Sequence, residues 1–372
     1  MNRQRRRIIQ AGLLAGAAIT AGRMPGAMAL PEKTVRAGAP LKILILGGTG
    51  FIGPHMVRDA LGRGHEVELF NRGRTNDDLF PDLQQYIGDR NNKLDALEGH
   101  EWDAVIDNSG YVPRQVADSA RLLADAASQY VYVSSISAYA SFKVANDEDS
   151  PLATMPDETV EEITNTTYGP MKALCEKRAA AEFGADRVTV IRPTYICGPG
   201  DPTDRYTYWP VRTMRGGEML WPGTPADPIQ VIDARDLAAF VVDCLEKRIV
   251  GTYNTVTPPG AFTMGELLAD SVAATDAEMT PVWVSSEFVR ANGLVEGADL
   301  PIWSSPKGEE SRAALVSGER AFAKGLKNRP TRETARDTIR WWREQPAERT
   351  ASLRAGLNPD REAELLAKWQ NR

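Results

Sequence analysis

Short apolar runs recur along the first two thirds of the chain, and stretches of helical period separate them. The first run, residues 41–46, is unbroken, which is typical of a parallel strand buried on both faces. Further runs predict strands over residues 65–70, 84–88, 103–107, 130–134, 188–192 and 252–256. Helical periodicity predicts helices over residues 51–61, 92–98, 113–127, 168–183 and 236–247. This alternation predicts an α/β fold, a Rossmann-type doubly wound parallel sheet.

The rest of the chain has a different pattern. Residues 197–228 are rich in glycine, proline and aromatic residues, and helices with irregular segments follow residue 258. Loops of that composition cover sites more often than they build cores. We therefore predict a dinucleotide-binding domain over 41–195, to which 231–257 return, and a smaller C-terminal substrate cap over 196–230 and 258–372. Two roles remain open for four aromatic side chains of this segment, stacking on a sugar or core packing. These residues are Tyr206, Tyr208, Trp209 and Trp221.

The first 29 residues resemble an export signal. Four arginines and no acid precede an apolar stretch over residues 8–21, and Ala27–Ala29 has the A-x-A form of a cleavage site. Residues 4–10 resemble a twin-arginine signal, which carries folded proteins. We expect a signal peptide over 1–29, a linker over 30–40 and a periplasmic or otherwise exported protein without a stable membrane span. If the signal is false, the protein is cytoplasmic.

Charge and cysteine content narrow the classes of partner. Removing residues 1–29 lowers the net charge from −6 to −11, so we expect no nucleic-acid partner. The three cysteines are scattered and indicate no disulfide framework, and three histidines are too few for a His-based metal site. We therefore predict no metal and a small-molecule substrate.

A glycine motif follows the first predicted strand directly. Gly47, Gly50 and Gly53 lie between that strand and an apolar helix pattern, which is the context that a dinucleotide-binding motif requires. Gly47 would allow a tight turn, Gly50 a close approach of the backbone to a pyrophosphate, and Gly53 close packing of helix on sheet. The helix N-terminus would offer free N–H groups to the phosphates. A glycine turn without a ligand is the alternative.

Tyr168 and Lys172 lie four residues apart on one predicted helix, so their side chains share a face. An ammonium group near a phenol stabilises the phenolate and lowers the phenol pKa, which suits Tyr168 for moving a proton at an alcohol or carbonyl. Ser135 lies at the end of the predicted strand 130–134, where Rossmann-type sheets present ligands. A chance spacing on a solvated helix, and a serine that only caps a turn, are the alternatives.

Together these features resemble the short-chain dehydrogenase/reductase superfamily, in its extended, epimerase/dehydratase-like branch, over residues 41–260. The resemblance implies Ser135, Tyr168 and Lys172 as catalytic residues and an NAD(P)-dependent oxidoreductase or epimerase acting on a sugar or another polyhydroxylated alcohol or ketone. Members are often dimers, so a homodimer is a further expectation. The cofactor-binding candidates are Gly47, Gly50, Phe51, Ile52, Gly53, Asn71, Arg72, Arg74, Asp89, Lys172 and Pro193.

The chain departs from the family pattern after the second predicted strand. Members that prefer NAD carry an acid there for the ribose 2′-hydroxyl, whereas this chain has Asn71 with Arg72 and Arg74 beside it. This favours NADP as the cofactor, with NAD the alternative. Residues 107–113 also resemble atypical members related to chloroplast stem-loop-binding proteins. A catalytically silent NADP-binding module is therefore the alternative function.

Overall fold

A computed structural model describes residues 39–308 and 310–372. The predicted signal peptide and all but the last two residues of the predicted linker lie outside these ranges. Within them, no helix combines the length and the apolar character needed to cross a membrane.

The described residues form strands and helices in alternation through the first half of the chain. The strands are β1 (Lys42–Leu46), β2 (Glu66–Asn71), β3 (Gln85–Ile87), β4 (Ala104–Asp107), β5 (Gln129–Val133), β6 (Val188–Pro193), β7 (Tyr195–Cys197), β8 (Gly217–Pro222), β9 (Val231–Asp233), β10 (Gly251–Thr255), β11 (Met279–Val284), β12 (Glu296–Gly297) and β13 (Leu300–Pro301). The helices are α1 (Gly53–Gly62), α2 (Pro113–Leu123), α3 (Tyr168–Phe183), α4 (Tyr208–Met214), α5 (Ala234–Glu246), α6 (Met264–Thr275), α7 (Ser286–Ala291), α8 (Glu319–Ala323), α9 (Thr331–Arg343), α10 (Ala347–Thr350) and α11 (Pro359–Gln370).

The central sheet has seven strands in the order β10-β6-β5-β4-β1-β2-β3, and every pairing is parallel. The chain runs outward from β1 through β2 to β3, then crosses to β4 and continues to the other edge. Strand order therefore reverses between β1 and β4, and ligands bind at such a switch point, beyond the carboxyl ends of the strands. The predicted doubly wound α/β fold is confirmed.

Side chains that alternate along β1 connect the sheet to two helical layers. Ile43 and Ile45 belong to the hydrophobic cluster that contains residues of α1 and α5. Leu44 and Leu46 belong to the cluster that contains residues of α2 and α3. Because successive side chains of a strand point to opposite faces, a strand buried on both sides needs apolar residues at every position.

The region predicted as a cap has a hydrophobic core of its own. Trp209, Trp221 and Trp303 are fully buried in it, together with Tyr206 and Tyr208. The aromatic residues of segment 206–221 therefore pack in this core, and of the two roles left open by the sequence, stacking on a sugar is excluded. The parallel pair β8–β11 and residues of α4, α6 and α11 complete the core.

Two local predictions, both of helices, are wrong. The helix expected over 92–98 is a single 3-10 turn, Asp95–Leu97, because Asn92 has a left-handed backbone (φ +61°) and Asp89 pairs with Lys93 across the turn. Helix α2 ends at Leu123 rather than at residue 127. Residues 321–326, predicted as cap, contribute Ala321 and Leu326 to the hydrophobic cluster of the sheet.

Candidate active site

The glycine turn after β1 has the geometry that the sequence predicts for it. Gly47 has φ +94°, and a Cβ there would lie 2.7 Å from Asn108 Oδ1, so only glycine fits. A Cβ at Gly53 would overlap the carbonyl oxygen of Gly47, because α1 starts against the turn. Gly50 instead faces open space, with no atom within 4 Å of a Cβ built there.

This turn fits a pyrophosphate. Helix α1 begins without a side-chain cap. Pro54 has no N–H and the His55 N–H donates to the Ile52 carbonyl at 3.2 Å, so the Gly53 N–H is the donor of the first turn that remains for an anion. The Asn76 amide donates to the Thr49 carbonyl at 2.9 Å and holds the loop in place. Phe51 lies edge-on to His55, and Ile52 faces the cavity described below.

The end of β2 offers no acid to a cofactor ribose. The Asn71 amide donates to Gln85 Oε1 at 2.9 Å, and its oxygen accepts from the Gly73 N–H at 2.9 Å, so both ends of the amide are engaged. Arg72 and Arg74 are exposed. The Asp89 carboxylate, beyond β3, accepts from the Asn91 N–H within its own turn.

A cavity of about 930 Å³ lies beyond the carboxyl ends of the central strands. It brings together Ser135, Tyr168 and Lys172, the three residues predicted to be catalytic. Ile52 and Pro193 also line it. The remaining cofactor-binding candidates do not line this cavity, namely Gly47, Gly50, Phe51, Gly53, Asn71, Arg72, Arg74 and Asp89.

Ser135 and Tyr168 are held by the contact between the loop after β5 and the start of α3. Ser135 caps the 3-10 turn Ile136–Ala138, where its Oγ accepts from the Ser137 N–H at 3.1 Å. The Ser135 hydroxyl also hydrogen-bonds with the Tyr168 phenol. A Cβ at Gly169 would overlap the Ser137 carbonyl, so this glycine permits the close approach that places Tyr168 beside the serine loop.

Lys172 is buried and bonded to backbone. Its Nζ donates to the carbonyls of Gly110 and Val133, both at 2.8 Å, and lies 4.7 Å from the ring centroid of Tyr111. Burial disfavours the ammonium and lowers the pKa of Lys172 to about 8. The lysine therefore lies at the cavity wall, with its charge partly shielded by an aromatic face.

The pKa of Tyr168 is raised in the chain alone, not lowered as the sequence predicts. Burial raises it most, and the neighbouring Tyr111 adds to the effect. Hydrogen bonding with Ser135 and the positive charge of Arg205 act in the opposite direction. Lys172 is not among the largest influences, and its Nζ donates to two backbone carbonyls.

Two buried ion pairs support the strand ends beneath the site. Arg192 of β6 donates to Glu176 of α3 at 2.7 and 2.9 Å, and Glu176 accepts from Ser134 at 2.5 Å. Arg90 makes a two-pronged pair with Asp107, at the end of β4. Buried charges need such partners, and these pairs fix the strand ends from which Ser135 and Gly110 extend.

Several residues of the cavity had no clear signal in the sequence. Tyr111 lies in the loop after β4, with its ring centroid 6.4 Å from that of Tyr168. Arg205 and Arg354 reach the cavity from the region predicted as cap. Loop arginines and tyrosines are common on any surface, and only tertiary packing shows which of them reach a site.

Residues 43–255 match the sequence model of the family described as the NAD dependent epimerase/dehydratase family, which is more than half of the chain. The chloroplast stem-loop binding protein of 41 kDa b from Arabidopsis thaliana is 27% identical over 229 residues, 57% of either chain. The 2-alkyl-3-oxoalkanoate reductase of Stenotrophomonas maltophilia (strain K279a) is 29% identical over 186 residues, 43% of this chain and 52% of that one. The chain thus matches little more than half the length of these curated relatives.

Solved structures show the same fold at low sequence identity. The crystal structure of the Bordetella bronchiseptica enzyme WbmG in complex with NAD superposes with a TM-score of 0.61 at 16% identity. The match covers 88% of this chain and all of the other. A structural match at this level of sequence identity shows that the folds are alike and nothing more.

Proposed function

Because this chain belongs to the NAD dependent epimerase/dehydratase family, we propose that it is an NAD(P)-dependent oxidoreductase or epimerase. Its substrate would be a sugar or another polyhydroxylated alcohol or ketone. The observation that supports this most directly is the meeting of Ser135, Tyr168 and Lys172 in one cavity at the carboxyl ends of the sheet. Side chains from a strand end and a helix converge there as proton-transfer chemistry requires.

The proposed roles follow from the contacts of each side chain. Tyr168 takes the proton of a substrate hydroxyl in the direction of oxidation and returns it in the direction of reduction. Ser135 donates its O–H to the reacting oxygen, while its own oxygen accepts from the Ser137 N–H. Lys172 contributes positive charge at the cavity wall. This charge stabilises the phenolate of Tyr168 once cofactor and substrate are bound.

The chain has a site that suits a nicotinamide dinucleotide. Gly50 leaves room for a pyrophosphate beside the uncapped start of α1, and Ile52 with Pro193 would flank the nicotinamide. When bound, the nicotinamide supplies a hydride donor or acceptor. We propose NADP as the preferred form, because the end of β2 carries two exposed arginines and an amide whose bonds are internal.

A tyrosine substitution tests the enzymatic proposal. Tyr168→Phe removes the proton-transferring oxygen and keeps the ring, so we expect turnover to fall by about 10²–10⁴-fold while cofactor affinity is kept. Turnover is followed over a panel of sugars, polyols and their ketones, by the absorbance of the reduced nicotinamide for net oxidation or reduction and by chromatography of the products for epimerisation. Tyr86→Phe, a tyrosine bonded to Glu68 at the sheet edge, is the matched control. Equal rates for Tyr168→Phe and the unaltered chain would contradict the proposal.

A second candidate is a cofactor-binding module without catalysis. The similarity to a chloroplast stem-loop binding protein favours it. Such a module would bind NADP as the enzyme does, but neither Tyr168→Phe nor the unaltered chain would convert any substrate of the panel. The two candidates therefore differ in turnover and agree in cofactor binding.

We also propose that the protein is exported by the twin-arginine route with its cofactor bound. Little free NADP is available outside the cytoplasm, so a cofactor that stays bound has to be restored within each turnover. Epimerisation by oxidation and re-reduction meets this condition, as does the coupled oxidation of one substrate and reduction of another. A dehydrogenase that releases its cofactor would suit the cytoplasm better.

A further inference from the structure

The charged side chains that line the cavity are all cationic. They are Lys172, Arg205 and Arg354, and no Asp or Glu among the described residues lines it. The chain as a whole is acidic, with a net charge of −6. A cleft lined by one sign of charge within walls of low dielectric concentrates ions of the opposite sign. The local charge therefore favours an anionic ligand, although the overall charge does not.

Arg205 is held in the cavity wall by neutral neighbours, and the carboxyl group on which its charge acts, Asp201, lies behind Thr203. Its Nε donates to Thr203 Oγ1 at 3.1 Å, and its guanidinium lies 4.9 Å from the ring centroid of Tyr195. Thr203 is itself held by the buried Asp201 at 2.7 Å. In the part of the chain that the structure describes, Arg205 forms no ion pair with a carboxylate. Its outer N–H groups thus remain available to a ligand.

Arg354 reaches the same cavity from the loop after α10. Its backbone N–H donates to Asp204 at 2.9 Å, and its guanidinium donates to the Pro202 carbonyl at 2.9 Å. One carbonyl bond leaves most of its five N–H donors unused. Over the described ranges, its side chain has no carboxylate partner either. Two arginines of different loops are therefore fixed by local bonds, and among the described residues neither guanidinium is in direct contact with a carboxylate.

Arg205 is also close to the reacting end of the cavity. Its positive charge acts on the Tyr168 phenol and opposes the rise of that pKa caused by burial. The phosphates of a dinucleotide have a separate site at the turn of Gly50 and the start of α1. The two arginines belong instead to the segments predicted as substrate cap. Their position suits the part of the substrate that does not react.

We propose that Arg205 and Arg354 form a subsite for an oxyanion of the substrate, a carboxylate or a phosphate ester. The substrate class is then a polyhydroxylated acid or sugar phosphate rather than a neutral sugar. A guanidinium donates two parallel N–H bonds to such a group, and these bonds give both affinity and orientation. This inference rests on the proposed function, whose substrate it specifies.

Matched ligands test the subsite by binding rather than by turnover. Calorimetric titrations of the full chain with saturating NADP⁺ would compare D-glucose, D-glucuronate and D-glucose 6-phosphate, which share one ring. We expect at least one of the two acids to bind about tenfold or more tightly than glucose. Arg205→Gln and Arg354→Gln should each lower that affinity by about tenfold, the effect of losing one charge-assisted contact. Arg332→Gln, an exposed arginine of α9, is the control.

Each result has a defined meaning. A preference for glucuronate alone identifies a carboxylate, and a preference for the phosphate alone identifies a phosphate ester. Equal affinity for the three ligands, or no effect of either arginine variant, overturns the subsite. A loss confined to NADP⁺ affinity also overturns it, by assigning the arginines to the cofactor. If neutral polyols are converted but neither acid binds more tightly, the proposed function is supported and the subsite is overturned. If an acid binds more tightly but no substrate is converted, the subsite is supported and the enzymatic function is overturned.

Discussion

At the scale of single residues, Lys172 has a pKa with a measurable effect on stability. Burial lowers that pKa from 10.5 to about 8. Between these values the unfolded chain holds a proton that the native chain has released. Unfolding therefore takes up a proton, and the contribution of this group to the free energy of unfolding rises with pH, by at most about 1.4 kcal/mol per pH unit.

Urea unfolding at several pH values from 7 to about 10 measures this effect. The free energy of unfolding of the unaltered chain, minus that of Lys172→Met, should rise with pH across this window. Lys177→Met provides a control, because Lys177 is exposed on the same helix, and its difference from the unaltered chain should stay flat. A flat difference for Lys172→Met would show that this lysine is not desolvated in the native state.

Arg72 and Arg74 determine the expected choice between NADP and NAD. A 2′-phosphate placed beside β2 would receive charge-assisted bonds from these exposed side chains, whereas a 2′-hydroxyl would not. The double variant Arg72→Gln/Arg74→Gln should raise the Kd for NADP⁺ about tenfold or more and leave that for NAD⁺ unchanged. Fluorescence titration with both nucleotides measures this, and Arg121→Gln on α2 serves as the control. A parallel loss of both affinities would contradict the assignment.

At the scale of elements, the buried strands were the easiest to predict. A parallel strand covered on both faces carries apolar side chains at every position, as in β1, so its pattern is local. The pair Tyr168 and Lys172 was also visible, because i, i+4 spacing on a helix is local too. Arg354 was not, since bonds to Pro202 and Asp204, about 150 residues away in the chain, decide where it points.

The turn between β1 and α1 allows packing and ligand binding to be tested separately. A methyl group at Gly53 overlaps the Gly47 carbonyl, so Gly53→Ala should lower the free energy of unfolding by about 1–3 kcal/mol. A methyl group at Gly50 enters open space, so Gly50→Ala should leave stability within about 0.5 kcal/mol and weaken NADP⁺ binding by about tenfold or more.

Urea unfolding without cofactor and nucleotide titration give the two readouts. Gly62→Ala is the control, because Gly62 lies in the same helix with nothing near a Cβ, and alanine there favours the helix by up to about 1 kcal/mol. Unchanged NADP⁺ affinity in Gly50→Ala would show that the pyrophosphate does not bind at this turn. If Gly53→Ala keeps the free energy of unfolding of the unaltered chain, α1 can move away from the turn without losing stability, which contradicts the prediction.

At the scale of the whole molecule, ion pairs join segments that are far apart in the chain. Glu362 of α11 is buried, accepts from Arg212 of α4 at 2.5 Å, and also accepts from the Leu220 N–H of β8 at 3.2 Å. Arg235 of α5 pairs with Asp337 of α9 at 2.6 Å. The cavity itself is lined by residues from both halves of the chain, from Ile52 to Ala355.

Export in the folded state is the expectation that the arginine pair of the predicted signal carries. If the chain folds around its cofactor in the cytoplasm and then crosses by the twin-arginine route, the exported protein should carry about one nicotinamide nucleotide per chain. Cell fractionation followed by acid release and chromatography of the nucleotide measures this. Arg5→Lys/Arg6→Lys should retain the protein in the cytoplasm, whereas Arg3→Lys/Arg23→Lys, which spares the pair, should not. Exported protein without nucleotide would contradict a cofactor that stays bound, because the cavity would then depend on a supply of NADP that the exterior lacks.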